Sequence, residues 1–150
     1  MQDIQWRGTF YSHYRDIYDL RDQMEDEVFQ SLVSVLDHYP PEALRQGIRP
    51  LLTDIFRFVL LRRGEGETLL GPMANRLFLD RIKAELSRRV EEEWRGLYPL
   101  SSSAQWDYYL NYVVAGWVAM LQVWTAKGMQ ESPEEMAAMA EQFILFGIQR

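Results

Sequence analysis

From Tyr108 to Ala126 the chain runs without a single charged residue, and only Asn111, Gln122 and Thr125 interrupt the apolar run. A helix this apolar has to span a membrane or be covered on most of its sides. Three amides and hydroxyls, no basic cluster at its start and an amphipathic remainder favour the buried helix over the membrane span. A chain of 150 residues offers few neighbours to cover such a helix completely. A partner chain is the economical solution, and no membrane association is expected.

The rest of the chain sets the frame for that helix. Its size suits one domain with a real core, and 47% apolar and 13% aromatic residues exclude disorder. Without cysteine there are no disulfides and no thiolate metal sites. The start, Met1-Gln2-Asp3-Ile4, has neither the basic nor the apolar character of a signal peptide, so a cytoplasmic location is expected. A net charge of −6 argues against an extended nucleic-acid surface, which needs Lys and Arg in excess.

Helical periodicity dominates everywhere, and no strand alternation, repeat or low-complexity segment appears. Ile17, Leu20, Met24, Val28, Leu32, Val35 and Tyr39 form one stripe, with Asp16 expected as its N-cap and Pro40-Pro41 as its stop. A second helix is expected over Arg49–Arg63, with Leu51, Leu52, Ile55, Phe56, Val59 and Leu60 inward. Gly64-Glu65-Gly66 is read as the turn that ends it. A third, from about Met73 to Arg95, carries a seam of Phe78, Ile82, Leu86, Val90 and Trp94. Its outer face holds the pairs Arg81–Glu85, Arg88–Glu92 and Arg89–Glu93 at ion-pair spacing. Leu100-Ser101-Ser102-Ser103 reads as a linker. After Trp106–Ala126, Lys127-Gly128 closes the apolar helix. Ser132-Pro133-Glu134-Glu135 then opens a last helix with serine as cap, proline at the first position and glutamate at the third. Its wide face is Met136, Met139, Ala140, Phe143, Ile144 and Gly147. The expected class is all-α.

The inventory does not support an enzyme. Only His13 and His38 are present, without metal-ligand spacing, and no cofactor or metal site is expected. His38, at a helix end, suits the helix dipole. No nucleophile elbow, phosphate-cradling loop or cysteine nucleophile exists. Glu91-Glu92-Glu93 and Arg88-Arg89 read as a solvated, ion-paired face rather than as reactive groups.

The block Arg7-Gly8-Thr9-Phe10-Tyr11-Ser12-His13-Tyr14 has the character of a short DNA-reading helix. A glycine opens a turn that carries hydroxyls, an imidazole and aromatics, the donors that meet phosphates. It resembles the end of the headpiece of TetR-family transcriptional regulators, where Gly-Thr-(Phe/Leu)-Tyr-x-His-(Phe/Tyr) forms the recognition helix. Ile17 stands where family members usually carry lysine, which forfeits one phosphate contact. Only seven residues precede Gly8, which implies a headpiece lacking its supporting helices. The C-terminal string, Ala115-Gly116-Trp117 followed by Trp124-Thr125-Ala126-Lys127-Gly128-Met129 and Ser132-Pro133-Glu134-Glu135-Met136, is similar to the ending of a Gram-positive TetR subgroup.

The resemblance implies a TetR-like helical bundle. Residues 1–15 would be a remnant helix-turn-helix headpiece, with Arg7, Thr9, Tyr11 and His13 as DNA contacts. Residues 16–150 would form an effector-binding and dimerisation domain. A ligand pocket would involve Phe56, Phe78, Trp106 and Tyr109 and suit an apolar or cationic effector, although aromatics at helical spacing are core more often than pocket. The last two helices would build an intermolecular four-helix bundle through Tyr112, Gly116, Trp117, Met120, Trp124, Met136, Met139 and Phe143. Three functions stay open: a ligand-responsive homodimer on operator DNA, a DNA-independent module that pairs with an intact regulator, and a small-molecule binder.

Overall fold

The computed structural model describes the backbone of residues 2–72, 74–94 and 103–146, with the side chains of all of these except 2–15, 67, 94 and 103. Among the described residues every regular element is helical. In chain order they are α1 (Gln2–Asp37), α2 (Pro41–Arg45), α3 (Arg49–Leu61), α4 (Arg63–Leu70), α5 (Arg76–Arg89), α6 (Ser103–Ala126) and α7 (Pro133–Phe146). A π-helical turn, Val90–Trp94, continues α5. The all-α expectation holds.

α1 is unbroken through Asp16, so the N-cap expected there does not exist. The reason is energetic. One Asp in a helix interior costs only about 0.7 kcal/mol relative to alanine, and no proline stands between Gly8 and Pro40 to force a break. The apolar stripe divides along its length: Ile17 and Leu20 are exposed, whereas Val28, Leu32 and Leu36 are buried. The Pro40-Pro41 stop is found, with a short α2 immediately after it.

The Gly64-Glu65-Gly66 turn is also overturned, because both glycines lie inside α4. The break falls two residues earlier, at Arg62, where φ is −107° and ψ 35°. Gly66 faces the α6–α7 connection: a Cβ there would sit in ordinary contact, 3.4 Å from Met129 Cε and 3.5 Å from Thr125 Cγ2. The third helix begins at Arg76 rather than at Met73, with Asn75 Oδ1 accepting from Leu77 N at 3.0 Å as its cap. Of the expected Leu100–Ser103 linker, Ser103 is instead the first residue of α6, and Leu100–Ser102 lie outside the described residues.

The C-terminal boundaries match the sequence. Met129 N donates to Trp124 O at 2.9 Å and Gly128 N to Thr125 O at 3.1 Å, the paired closure of a Schellman end. Gly128 takes φ +84° and Met129 φ +54°, the latter unusual for a residue with a side chain. Ser132 Oγ accepts from Glu135 N at 3.1 Å and opens α7.

α7 packs chiefly on α3. Ala137 and Ala140 are fully buried there and let the two helices approach closely. Phe56 meets Trp124 edge-on, with centroids 5.3 Å apart at 88°. The Trp124 indole N–H donates to Glu131 O at 3.0 Å and so holds the α6–α7 connection. Arg49–Glu141 at 2.8 Å and Arg57–Glu134 link the outer faces of α3 and α7.

Candidate functional site

On the opposite side of α3 the packing is looser. An apolar cavity of about 60 Å³ lies where α1 (Val28, Leu32), α4 (Leu69), α5 (Phe78, Ile82) and α6 (Val118, Leu121) converge. A second, of about 30 Å³, lies further along the core between Leu36, Leu52, Val90, Val114 and Ile144. Leu86 and Trp117 line both and form the partition between them. Interiors seldom leave voids larger than a water molecule, so paired hollows in one layer are a local property of this side of the bundle.

Each hollow has charged residues at one corner, although the surface exposed to the larger one is wholly apolar. At the larger, Arg62 and Glu65 face each other across the α3–α4 break at 3.5 Å. Arg62 also donates to Ser31 Oγ at 3.2 Å and stacks over Phe58 at 4.8 Å. At the smaller, the corner is Tyr39, Arg89 and Glu93. Arg89 is committed to Glu85 at 2.9 Å and Asp37 at 2.5 Å, not to Glu93 as the spacing predicts. Arg81 likewise pairs with Asp26 of α1 at 2.5 Å and not with Glu85, and its guanidinium lies over Phe29 at 3.9 Å. Arg88 does take Glu92, at 2.8 Å, and Glu85 as well, at 2.7 Å.

Several groups here are electrostatically displaced. Hydrogen bonds from Arg88 and then Arg89 hold the Glu85 carboxyl below its ordinary range against the opposing effect of burial. Burial pushes the Glu93 carboxyl up. Tyr39 is pushed from 10.0 up to about 12, first by burial and then by its hydrogen bond to Asp54. Its hydroxyl also reaches Pro50 O at 3.2 Å. The open groove beside it, between α1 and α3, includes His38, Arg57 and Leu61. His38 Nδ1 donates to Ser34 O at 2.7 Å, which satisfies a carbonyl at the helix end.

A latch ties α1 to α5 near the larger cavity. Glu25, buried on α1, accepts from Arg21 at 3.2 Å and from Asn75 Nδ2 at 3.3 Å. Asn75 is the residue that caps α5, so one side chain fixes both the start of α5 and its contact with α1.

The expected site residues are therefore dispersed. Of the four aromatics, Phe78 lines the larger cavity. Phe56 is fully buried against Trp124 in the α3–α7 seam. Trp106 and Tyr109 stack with centroids 5.7 Å apart at the other end of α6, where the Tyr109 hydroxyl reaches Ile144 O at 3.3 Å. Of the expected interface residues, Trp117, Trp124 and Met136 are instead buried in the chain's own core. Their large apolar surfaces are covered by α3, α4, α5 and α7, which the helical pattern could not distinguish from cover by a partner. Met120 is half-buried. Tyr112 (77% exposed), Gly116, Met139 and Phe143 do face outward. The side chains of Arg7, Thr9, Tyr11 and His13 lie outside the described residues.

Sequence reading missed Arg62, Glu65, Leu86 and Glu93 as cavity groups. Arg89–Glu93 spacing even pointed away from Glu93, because a regular helix would have paired the two. Among the described residues, no cluster of His, Asp or Glu is arranged to hold a metal, and no helix is long and apolar enough to cross a membrane.

Residues 47–145 match a protein family described as "Transcriptional regulator C-terminal region", TetR_C_8. That stretch runs from just before α3 into the last turn of α7 and holds most of both cavities. No curated protein and no solved structure matches the chain.

Proposed function

Because the chain belongs to the TetR-type transcriptional regulator family, we propose that it works as a homodimer whose hollow core takes up a small molecule and whose α1 transmits occupancy to operator DNA. The family match across α3 to α7 is the observation that carries this reading.

The dimer would form through the outward face of α6 and α7. Tyr108, Tyr112, Gly116, Ala119 and Val123 recur at three- and four-residue steps on α6, and Met139, Phe143 and Phe146 do so on α7. An exposed apolar stripe of this length on a charged chain is the signature of a covered face. Gly116 supports it, since a Cβ there meets nothing within 4 Å in its own chain. Its small size serves close approach by something outside. A two-fold arrangement would set four helices together. DNA contact would fall to Arg7, Thr9, Tyr11 and His13, and ligand would shift the dimer between two shapes of unequal operator affinity.

Sedimentation of Gly116→Leu and Tyr112→Asp tests the dimer directly. Both substitutions leave the monomer core untouched, so each is expected to give folded monomers. A dimer of unchanged affinity in both variants would overturn the interface. Fluorescence anisotropy on DNA flanking the gene, across a salt series, tests the rest. Preference over scrambled DNA with a steep salt slope is expected. Binding no better than to scrambled DNA would leave a dimerising ligand module without operator recognition.

A further inference from the structure

We propose that the two cavities are one elongated ligand site, gated by Leu86 and Trp117 and anchored at its far end by Glu93, and that the ligand is a small apolar amine bound as its ammonium form. This rests on the ligand-responsive reading above and specifies its chemistry.

The π-helical turn Val90–Trp94 sets the position of the anchor. In a continuous α-helix Glu93 would lie one turn above Arg89, on the same face and within ion-pair reach. A π turn adds a residue to the ring and rotates the residues beyond it, a distortion found frequently at functional sites. Here Glu93 makes no ion pair with Arg89, although both residues line the smaller cavity. Arg89 turns to Glu85 and Asp37 instead, and Arg88 to Glu85 and Glu92. Glu93 thus makes no ion pair among the described residues, in a position where burial holds its carboxyl up. The π turn leaves Glu93 without a direct ion pair among the described residues beside an apolar hollow, within Coulombic reach of Arg89 and Arg88.

That imbalance selects the sign of the ligand. An anion entering the smaller cavity would need Arg89, whose guanidinium is already held by two carboxylates. A cation would meet the Glu93 carboxylate, which has no direct ion pair among the described residues and whose charge Arg89 and Arg88 offset only through space, and desolvation makes such a contact stronger than it would be in water. The Tyr39 hydroxyl on the same wall is held by Asp54 and is the remaining polar neighbour. The body of the ligand must be hydrocarbon, because Leu36, Leu52 and Val114 of the smaller cavity and Phe78, Val118 and Leu121 of the larger supply the walls.

Size gives the gating step. Cavities of about 60 and 30 Å³ are each well below the ~150 Å³ that accepts benzene in an engineered core. Occupation therefore requires Leu86 or Trp117 to change rotamer and merge the two. The indole N–H of Trp117 is buried without a hydrogen-bond partner, so no polar contact resists its rotation. An amine seated on Glu93 would extend its apolar end past Trp117 toward Phe78 and α4.

Calorimetric titration of the full chain with cyclohexylmethylamine, cyclohexylmethanol and cyclohexanecarboxylate at neutral pH tests this. The amine is expected to bind at least about tenfold more tightly than the isosteric alcohol, and Glu93→Gln to bring it down to the alcohol's level while leaving the alcohol unchanged. Leu86→Ala removes the partition and is expected to tighten both. Equal binding of amine and alcohol, unaffected by Glu93→Gln, would overturn the ammonium site while leaving the cavity reading in place. Preferential binding of the carboxylate would also overturn it and assign the anchor to Arg89. Binding of none of the three, to the native chain or to Leu86→Ala, would remove the ligand cavity itself.

Discussion

The two sides of α3 are packed to different standards. Toward α7 it meets two fully buried alanines, an edge-on Phe56–Trp124 pair and ion pairs on the outer face. Toward α1, α5 and α6 it borders the hollows. One helix thus belongs to a closely packed seam on one face and to a hollow chamber on the other. Close packing and internal space are assigned to opposite faces of a single element.

The largest expected effect breaks the seam. Trp124→Ala removes a ring that is 1% exposed and frees the Glu131 carbonyl, and should cost about 3–5 kcal/mol in denaturant unfolding. Ala140→Leu tests the same seam by overfilling it. Wedging α7 off α3 should cost about 1–3 kcal/mol. If Ala140→Leu were tolerated without loss, the seam would be no tighter than the chamber and the contrast would collapse.

On the chamber side the expected effects are smaller. Tyr39→Phe deletes the hydrogen bonds to Asp54 and Pro50 O, worth about 1 kcal/mol at neutral pH. Its pH dependence has a definite sign. Because the folded protein holds the Tyr39 proton up to about 12 against 10.0 for a free phenol, the contribution is fully present below pH 10 and disappears as pH rises through about 12. An ultraviolet titration of the native chain should show one late-ionising phenol that Tyr39→Phe removes. The smallest effect should be favourable. Val118→Ile adds one methyl group beside the 60 Å³ cavity and should stabilise by about 0.5–1 kcal/mol. A loss of stability in that variant would mean that the hollow is already filled by its neighbours' motion.

Legibility in the sequence divides along the same line. The ends of α6 and α7 are written in local chemistry, in Gly128 and in Ser132-Pro133, and the structure keeps both. The four apolar positions Leu51, Leu52, Ile55 and Phe56 are buried as their spacing predicts. The chamber was not legible, because its determinants are departures from local rules. Gly64 and Gly66 look like a terminator, yet both lie inside α4, where Gly66 packs beside Met129 and Thr125 of a distant segment. Asp16 looks like a cap, yet nothing in tertiary structure ends the helix there. Glu93 looks paired with Arg89 until a π turn intervenes. Trp117 reads equally well as core or as interface, since periodicity shows that a face is covered and not by which chain.

The Glu25–Asn75 latch gives this division a mechanical consequence. Glu25 sits well along α1, with roughly 35 Å of helix between it and Gln2 at about 1.5 Å per residue. Asn75 stands three residues before Phe78 on the chamber wall. Were α1 to tilt as a rigid body about this joint, its long arm would lie on the N-terminal side and its short arm inside the core. By simple geometry, a tilt of about 5° at the fulcrum sweeps the far end of a ~35 Å arm through about 3 Å. A displacement too small to disturb the seam is enlarged at the tip to nearly the spacing between adjacent residues.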